Sequence, residues 1–131
     1  RWFQEVQTRL TCFGKFSRCI EASKPDIVIS VHPLTQDIPI RALKQLDAKG
    51  LTPTAQRGEG KTPFVTVVTD LGGAHPCWFD KRADLCFVPS DPVRDVAIKC
   101  GMPEGKLRQH GLPLRAGFWT QETRSKEAMR K

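Results

Sequence analysis

PFVTVVTDLGGAHPCWFD, residues 63–80, passes from a β-branched apolar run through a glycine turn into a His-Pro pair and two large aromatics. Its first part, residues 63–70, has the length and side chains of a strand. Two runs of the same kind flank it, DIVISV at 26–31 and DLCFVPS at 84–90. Apolar strands without a polar alternation suggest a parallel sheet covered on both faces. A fourth, shorter strand with its exit loop is read at 107–113, LRQHGLP.

Helical spacing fills the intervals. Val6, Leu10, Phe13 and Ile20, with Trp2, Phe3 and Phe16 beside them, predict a helix over 2–22, weakened by Gly14 and ended by Pro25. Asp37 is the expected N-cap of a second helix, with Pro39 in its first turn and Ile40, Leu43 and Leu46 on its buried face. Gly50 supplies its stop. Residues 51–62, LTPTAQRGEGKT, read as a flexible surface loop rather than a domain boundary. Ser90 is expected to cap a third helix carrying Val93, Val96, Ala97 and Cys100, which Gly101 and Pro103 terminate. The order of elements is that of an α/β chain, a Rossmann-like parallel sheet with flanking helices.

The 131 residues suffice for one domain with a real core. The chain opens on Arg1 and stops inside a charged, helical-looking stretch, so it reads as a piece of a longer polypeptide. No apolar run approaches the roughly 18 to 20 residues of a membrane span. The net charge of +7 fits nucleic acid, anionic lipid or a phosphorylated small molecule, or a surface that is simply positive. No concentrated basic stripe with interleaved aromatics is present, which argues against nucleic acid. Cys12, Cys19, Cys77, Cys86 and Cys100 form no C-x-x-C pair, so neither a disulfide framework nor a zinc site is expected, and a reducing compartment suits them.

In open parallel sheets ligands bind beyond the carboxyl ends of the strands. Those ends carry His32-Pro33, Asp70 onward, Pro89-Ser90 and His110 to Pro113. Each of His32 and His75 reads as a general base or hydrogen-bonding ligand, or as a ring that merely closes the sheet. A zinc site from His32, His75 and His110 would need three distant loops to converge, and no metal is assigned. Asp70 either orients a ligand hydroxyl or caps the turn through the amides of Gly72 and Gly73. Trp78 and Phe79 either insert into an interface beside Lys81 and Arg82 or fold back onto the core. Neither G-x-G-x-x-G nor a P-loop nor G-x-S-x-G occurs, which argues against a self-sufficient nucleotide enzyme.

Three blocks in order, KPDIVISVHPL, VVTDLGGAHPCWF and CFVPSDPVRDVAIKCGMPEGKLRQHGLPLRAGF, resemble the N-terminal domain of monogalactosyldiacylglycerol synthases and related diacylglycerol glucosyltransferases. They span residues 24–119. The resemblance implies the N-terminal, acceptor-side half of a GT-B glycosyltransferase, with residues 1–119 in a partial Rossmann-like domain. Residues 120–131 would then begin the connection to a nucleotide-sugar domain lying outside this chain. It implies transfer of a hexose, galactose by preference, from a UDP-sugar to diacylglycerol. It places His32, Pro33, Asp70, His75, Pro76, Trp78 and Phe79 on the acceptor and membrane side, the aromatics facing outward because they meet lipid. Gly111, Leu112 and Pro113 would border the interdomain cleft.

The family's glycine-rich loop with its catalytic His has no counterpart in RWFQEVQTRL, so no catalytic residue is assigned, the base role is not moved onto His32, and the chain alone is expected to be inert. No cofactor is expected in this chain, the UDP-sugar belonging to the absent domain. Diacylglycerol and anionic membrane lipids are the expected partners and nucleic acid is not. The expected location is peripheral, on the plastid envelope or alternatively a bacterial inner membrane. Two other readings are an N-acetylglucosaminyltransferase acting on a lipid-linked wall precursor and a non-catalytic membrane-binding module or subunit of a split transferase.

Overall fold

The computed structural model describes residues 2–119, with side chains from 11 to 118. The expected linker at 120–131 lies outside the described residues. Helix α1 (Trp2–Ser23) leads to β1 (Val28–Ser30), α2 (Asp37–Ala48), the single turn α3 (Pro53–Gln56) and β2 (Phe64–Val67). A 3-10 turn (Pro76–Trp78) precedes β3 (Leu85–Val88), and α4 (Asp91–Lys99), a second 3-10 turn (Glu104–Lys106), β4 (Leu107–Gln109) and α5 (Ala116–Trp119) follow. The four strands are parallel and lie in sequence order. This is the expected α/β Rossmann-like arrangement.

Sequence order has a consequence for the faces. Register pairs Val28 with Phe64, and Thr66 with Cys86. Side chains alternate along a strand, so Val28, Ser30, Phe64, Thr66, Cys86 and Val88 share one face. Both core clusters draw on that face. Phe64 packs with Ile20 of α1 and with Ile40, Leu43 and Leu46 of α2. Cys86 and Val88 pack with Val93 and Ala97 of α4, together with Val68 and Met102. A right-handed crossover repeated in one direction lands on one side of the sheet every time. The expectation of a sheet covered on both faces therefore fails for β1 within the described residues. Ile27, Ile29 and Val31 point to the opposite face and are exposed, Ile29 by 55 %.

Loop 51–62 carries one helical turn and three buried side chains. Thr52 caps α3, its side-chain oxygen accepting from the Ala55 amide, and Thr52, Thr54 and Thr62 are buried. The carboxylate of Asp47, near the end of α2, accepts from the Thr52 hydroxyl (2.6 Å) and from the amide and hydroxyl of Thr62 (3.1 and 2.9 Å). Threonines in a polar sequence thus become the clamp that holds the entry to β2.

Two expected caps act otherwise. Asp37 is the first residue of α2 rather than its cap; Gln36 precedes it, and the Gln36 side chain turns inward. Ser90 precedes α4, but its hydroxyl donates to the Leu71 carbonyl (2.7 Å) and so ties the loop after β2 to the end of β3.

Removing the clamp tests its weight. Asp47→Ala strands two hydroxyls and an amide in a half-buried site and should cost about 2 kcal/mol, seen as an earlier urea midpoint, whereas Asp47→Asn should cost less because its side-chain oxygen still accepts.

Candidate functional site

The loops after β1, β2 and β4 leave the carboxyl edge of the sheet, and they carry the residues expected on the acceptor side and at the cleft. The first loop is organised by one carbonyl. His32 O accepts from the Thr35 amide (3.2 Å), the Thr35 hydroxyl (2.9 Å), the Gln36 side-chain amide (3.0 Å) and the Ser30 hydroxyl (3.2 Å). Gln36 is 3 % exposed; it also donates to Ser30 Oγ (3.0 Å) and accepts from Thr66 Oγ1 of β2 (2.9 Å). A buried amide with all its partners fixes geometry, because losing any one leaves an unpaired polar group in the core. His32 is thereby pinned at the rim with its ring exposed, and Pro33 is half-buried beside it. Gln36, Ser30 and Thr66 carried no signal in the sequence; only their meeting across two strands gives them a role.

The second loop corrects the reading of the aromatics as outward-facing. Trp78 is 1 % exposed and packs among Val68, Cys86, Val88, Val93 and Ala97, with Phe79 partly buried against the same cluster. The indole Nε1 donates to Asp70 Oδ2 at 2.7 Å, so Asp70 serves the tryptophan rather than the amides of Gly72 and Gly73. The turn sends the ring inward for local reasons. Pro76 opens the 3-10 turn, and His75 Nδ1 accepts from the Cys77 amide (3.1 Å), which fixes the direction in which Trp78 leaves. His75 and Pro76 stay exposed. Apolar contact at this edge is offered instead by Leu34 and Leu71, 74 % and 60 % exposed, neither of which the sequence reading selected.

In the third loop Gly111 holds φ 81°, a left-handed conformation that a side chain disfavours, and this sets the direction of Leu112 and Pro113. The His110 ring lies 5.9 Å from that of Phe87, tilted by 37°. His32, His75 and His110 form no metal cluster among the described residues, which hold no group of three or more His, Cys, Asp or Glu fit for one. The five cysteines are free, and burial pushes the Cys86 thiol up to about 12, leaving it an apolar core residue.

Arg82 braces this edge from the side. It bridges Asp80 and Asp37 (2.5 Å to the latter), while Asp37 also takes the Arg41 guanidinium (2.7 Å). Burial acts to raise the carboxyls of Asp37 and Asp80, but the hydrogen bonds and charges facing them together outweigh it, from Arg82 and Arg41 at Asp37 and from the Arg82 side chain and amide at Asp80, and hold both below their ordinary value. Away from the edge, a cavity of about 280 Å³ opens toward the amino ends of β2 and β3, between Leu43, Lys44, Thr62 and Asp84. Arg82 also lines it, whereas none of the residues expected on the acceptor side or at the cleft does.

Two outcomes follow. Groups held low in the folded state contribute stability above their unfolded value and lose it as pH falls through the folded one, so the unfolding midpoint should drop below about pH 4. Arg82→Gln should be less stable at neutral pH, with the gap to wild type narrowing as pH falls, as chemical denaturation across pH will read. Trp78→Ala should cost about 3–5 kcal/mol, while Trp78→Phe should cost about 1–2 kcal/mol by stranding Asp70 in a half-buried site; near-ultraviolet dichroism and urea titration separate the two.

The region that holds this edge matches known proteins. The family model for monogalactosyldiacylglycerol (MGDG) synthase matches residues 6–114. The chloroplastic monogalactosyldiacylglycerol synthase of Spinacia oleracea is 41 % identical over 108 residues, 82 % of this chain and 19 % of that protein. Monogalactosyldiacylglycerol synthase 1 of Arabidopsis thaliana is 42 % identical over 95 residues, 72 % of this chain and 16 % of its own length. The probable synthase 2 of Oryza sativa subsp. japonica is 44 % identical over 94 residues, 72 % and 18 % respectively. The chain thus spans less than a fifth of these relatives, and over that span, with the His-Pro turns and the Trp78 loop inside the matched region, it belongs to the monogalactosyldiacylglycerol synthase family.

Proposed function

We propose that this chain is the acceptor- and membrane-binding half of a transferase that moves galactose from a UDP-sugar to the free hydroxyl of diacylglycerol. The family match across residues 6–114 carries the reading. It is supported by the gathering of His32, His75 and the turn at Gly111 on one sheet edge. The donor would be held by polypeptide beyond the matched region, since the relatives extend far past it. Gly111, Leu112 and Pro113 would border the cleft between the two halves.

The lipid-facing side chains in this reading are Leu34 and Leu71. Trp78 contributes as the buried post on which the loop is mounted, with Asp70 and Phe79 supporting it, and Pro33 and Pro76 set the two turns. No described helix is long and apolar enough to cross a membrane, and the association proposed is peripheral, with the positive net charge adding attraction to anionic lipid. The relatives are named chloroplastic, which favours a plastid envelope.

Substituting this chain for the matching segment of the spinach synthase tests the assignment: galactose transfer to diacylglycerol should persist, and an inert but folded chimera would refute it. Leu34→Ser with Leu71→Ser should leave the unfolding midpoint in place. It should also weaken binding of the chain to diacylglycerol vesicles by at least about tenfold, since two leucines would no longer enter lipid; undiminished co-sedimentation would remove them from the contact.

A further inference from the structure

His32 and His75 are built alike. His32 Nδ1 accepts the Leu34 amide (3.2 Å), and His75 Nδ1 accepts the Cys77 amide (3.1 Å). In each case the intervening residue is proline, Pro33 or Pro76, which has no N–H. The first amide within reach is therefore that of the second residue on. Both rings are exposed, and both stand in loops that leave the carboxyl ends of adjacent strands, β1 and β2. A neutral imidazole has one donor and one acceptor nitrogen. With the Nδ1 lone pair occupied by the backbone, the proton lies on Nε2, and each ring presents an N–H outward. His110, followed by glycine and set against Phe87, has no such turn.

A base must offer a free lone pair to the proton it takes. Neither ring does so, and both are arranged to donate a hydrogen bond to an acceptor oxygen. We propose that His32 and His75 bind the ester carbonyl oxygens of the acceptor lipid through Nε2–H, and that this selects a diacylglycerol over its ether-linked dialkyl counterpart. The proposal rests on the acceptor-side reading above and deepens it. The lipid's hydroxyl is left unengaged by these rings, available to lose its proton to a base elsewhere. A phosphate oxygen could accept the same hydrogen bonds, and the test separates the two sources.

The test uses vesicles of ether-linked phosphatidylcholine, so that ester carbonyls enter only with the guest lipid. The guests are diacylglycerol, dialkylglycerol and a dialkyl phosphatidic acid. The 131-residue chain should bind diacylglycerol vesicles roughly 3- to 10-fold more tightly than dialkylglycerol vesicles, the size of one or two uncharged hydrogen bonds. His32→Asn and His75→Asn keep a side-chain oxygen that accepts the same amide, as Asx turns do, and lose only the outward N–H. Each should retain its unfolding midpoint while shedding part of the preference, and the double variant should shed all of it.

A preference kept by both variants, or absent from wild type, overturns the inference and leaves the acceptor-side reading standing. Wild-type chain that ignores diacylglycerol altogether overturns that reading as well. Loss confined to the phosphatidic acid vesicles assigns the rings to phosphate and overturns the carbonyl assignment. Long-range proton–nitrogen NMR of the rings gives an independent check, since a proton on Nδ1 in either histidine refutes the donor geometry.

Discussion

The carboxyl edge of the sheet depends on the indole of Trp78 being inside. Its ring fills the core between β3 and α4, and its N–H holds Asp70 at the point where the chain leaves β2. A buried aromatic with its polar atom paired combines a large apolar burial with a directional tether. The loop from Asp70 to Phe79 is thereby anchored at both ends, and Ser90 adds a third tie through the Leu71 carbonyl. What remains outside, His75, Pro76 and Leu71, stands on a rigid mount. An edge made of loops needs such mounts, because loops have few ladder hydrogen bonds of their own.

The neighbouring loop reaches the same end by polar means. Gln36 is buried and saturated, joining Ser30 of β1, Thr66 of β2 and the His32 carbonyl. A network of this kind is costly to break at any member, so it specifies one position for His32 relative to the sheet. The two His-Pro turns then differ in their supports, one apolar and one polar, yet in both Nδ1 accepts the amide of the second residue on. On the flank, the Arg82 bridge between Asp80 and Asp37 fastens the base of the aromatic loop to the first turn of α2. Its charges are partly solvated, and such pairs add alignment more than stability.

Much of this was legible beforehand. The four strands, three principal helices and the glycine stops of the second and third were readable because β-branched runs and apolar spacing at three and four residues have few other folded uses. The site edge was readable because parallel strands all end on the same side. The fate of Trp78 was not. A Trp after a glycine turn next to Lys81 and Arg82 suits either a membrane or a core, and the choice depends on Asp70 and on room above Cys86 and Val88 (neither is visible in the linear order). Leu34 and Leu71 were passed over for the converse reason: a lone leucine in a loop reads as core until its surroundings fail to cover it.

The chain's own residues determine the elements, their order, the carboxyl-edge placement of His32 and His75, and the family, since each follows from local spacing or from motifs contiguous in sequence. Tertiary structure alone decided which aromatic is buried, which leucines are exposed, that Asp47 and three threonines turn a polar loop into a clamp, and that the helices of both core clusters pack on one face of the sheet. The reason is physical. Periodicity reports on interactions within a few residues, whereas burial and hydrogen-bond satisfaction are properties of contacts such as Thr66 with Gln36 or Trp78 with Val93, whose strength depends on how the elements meet in space.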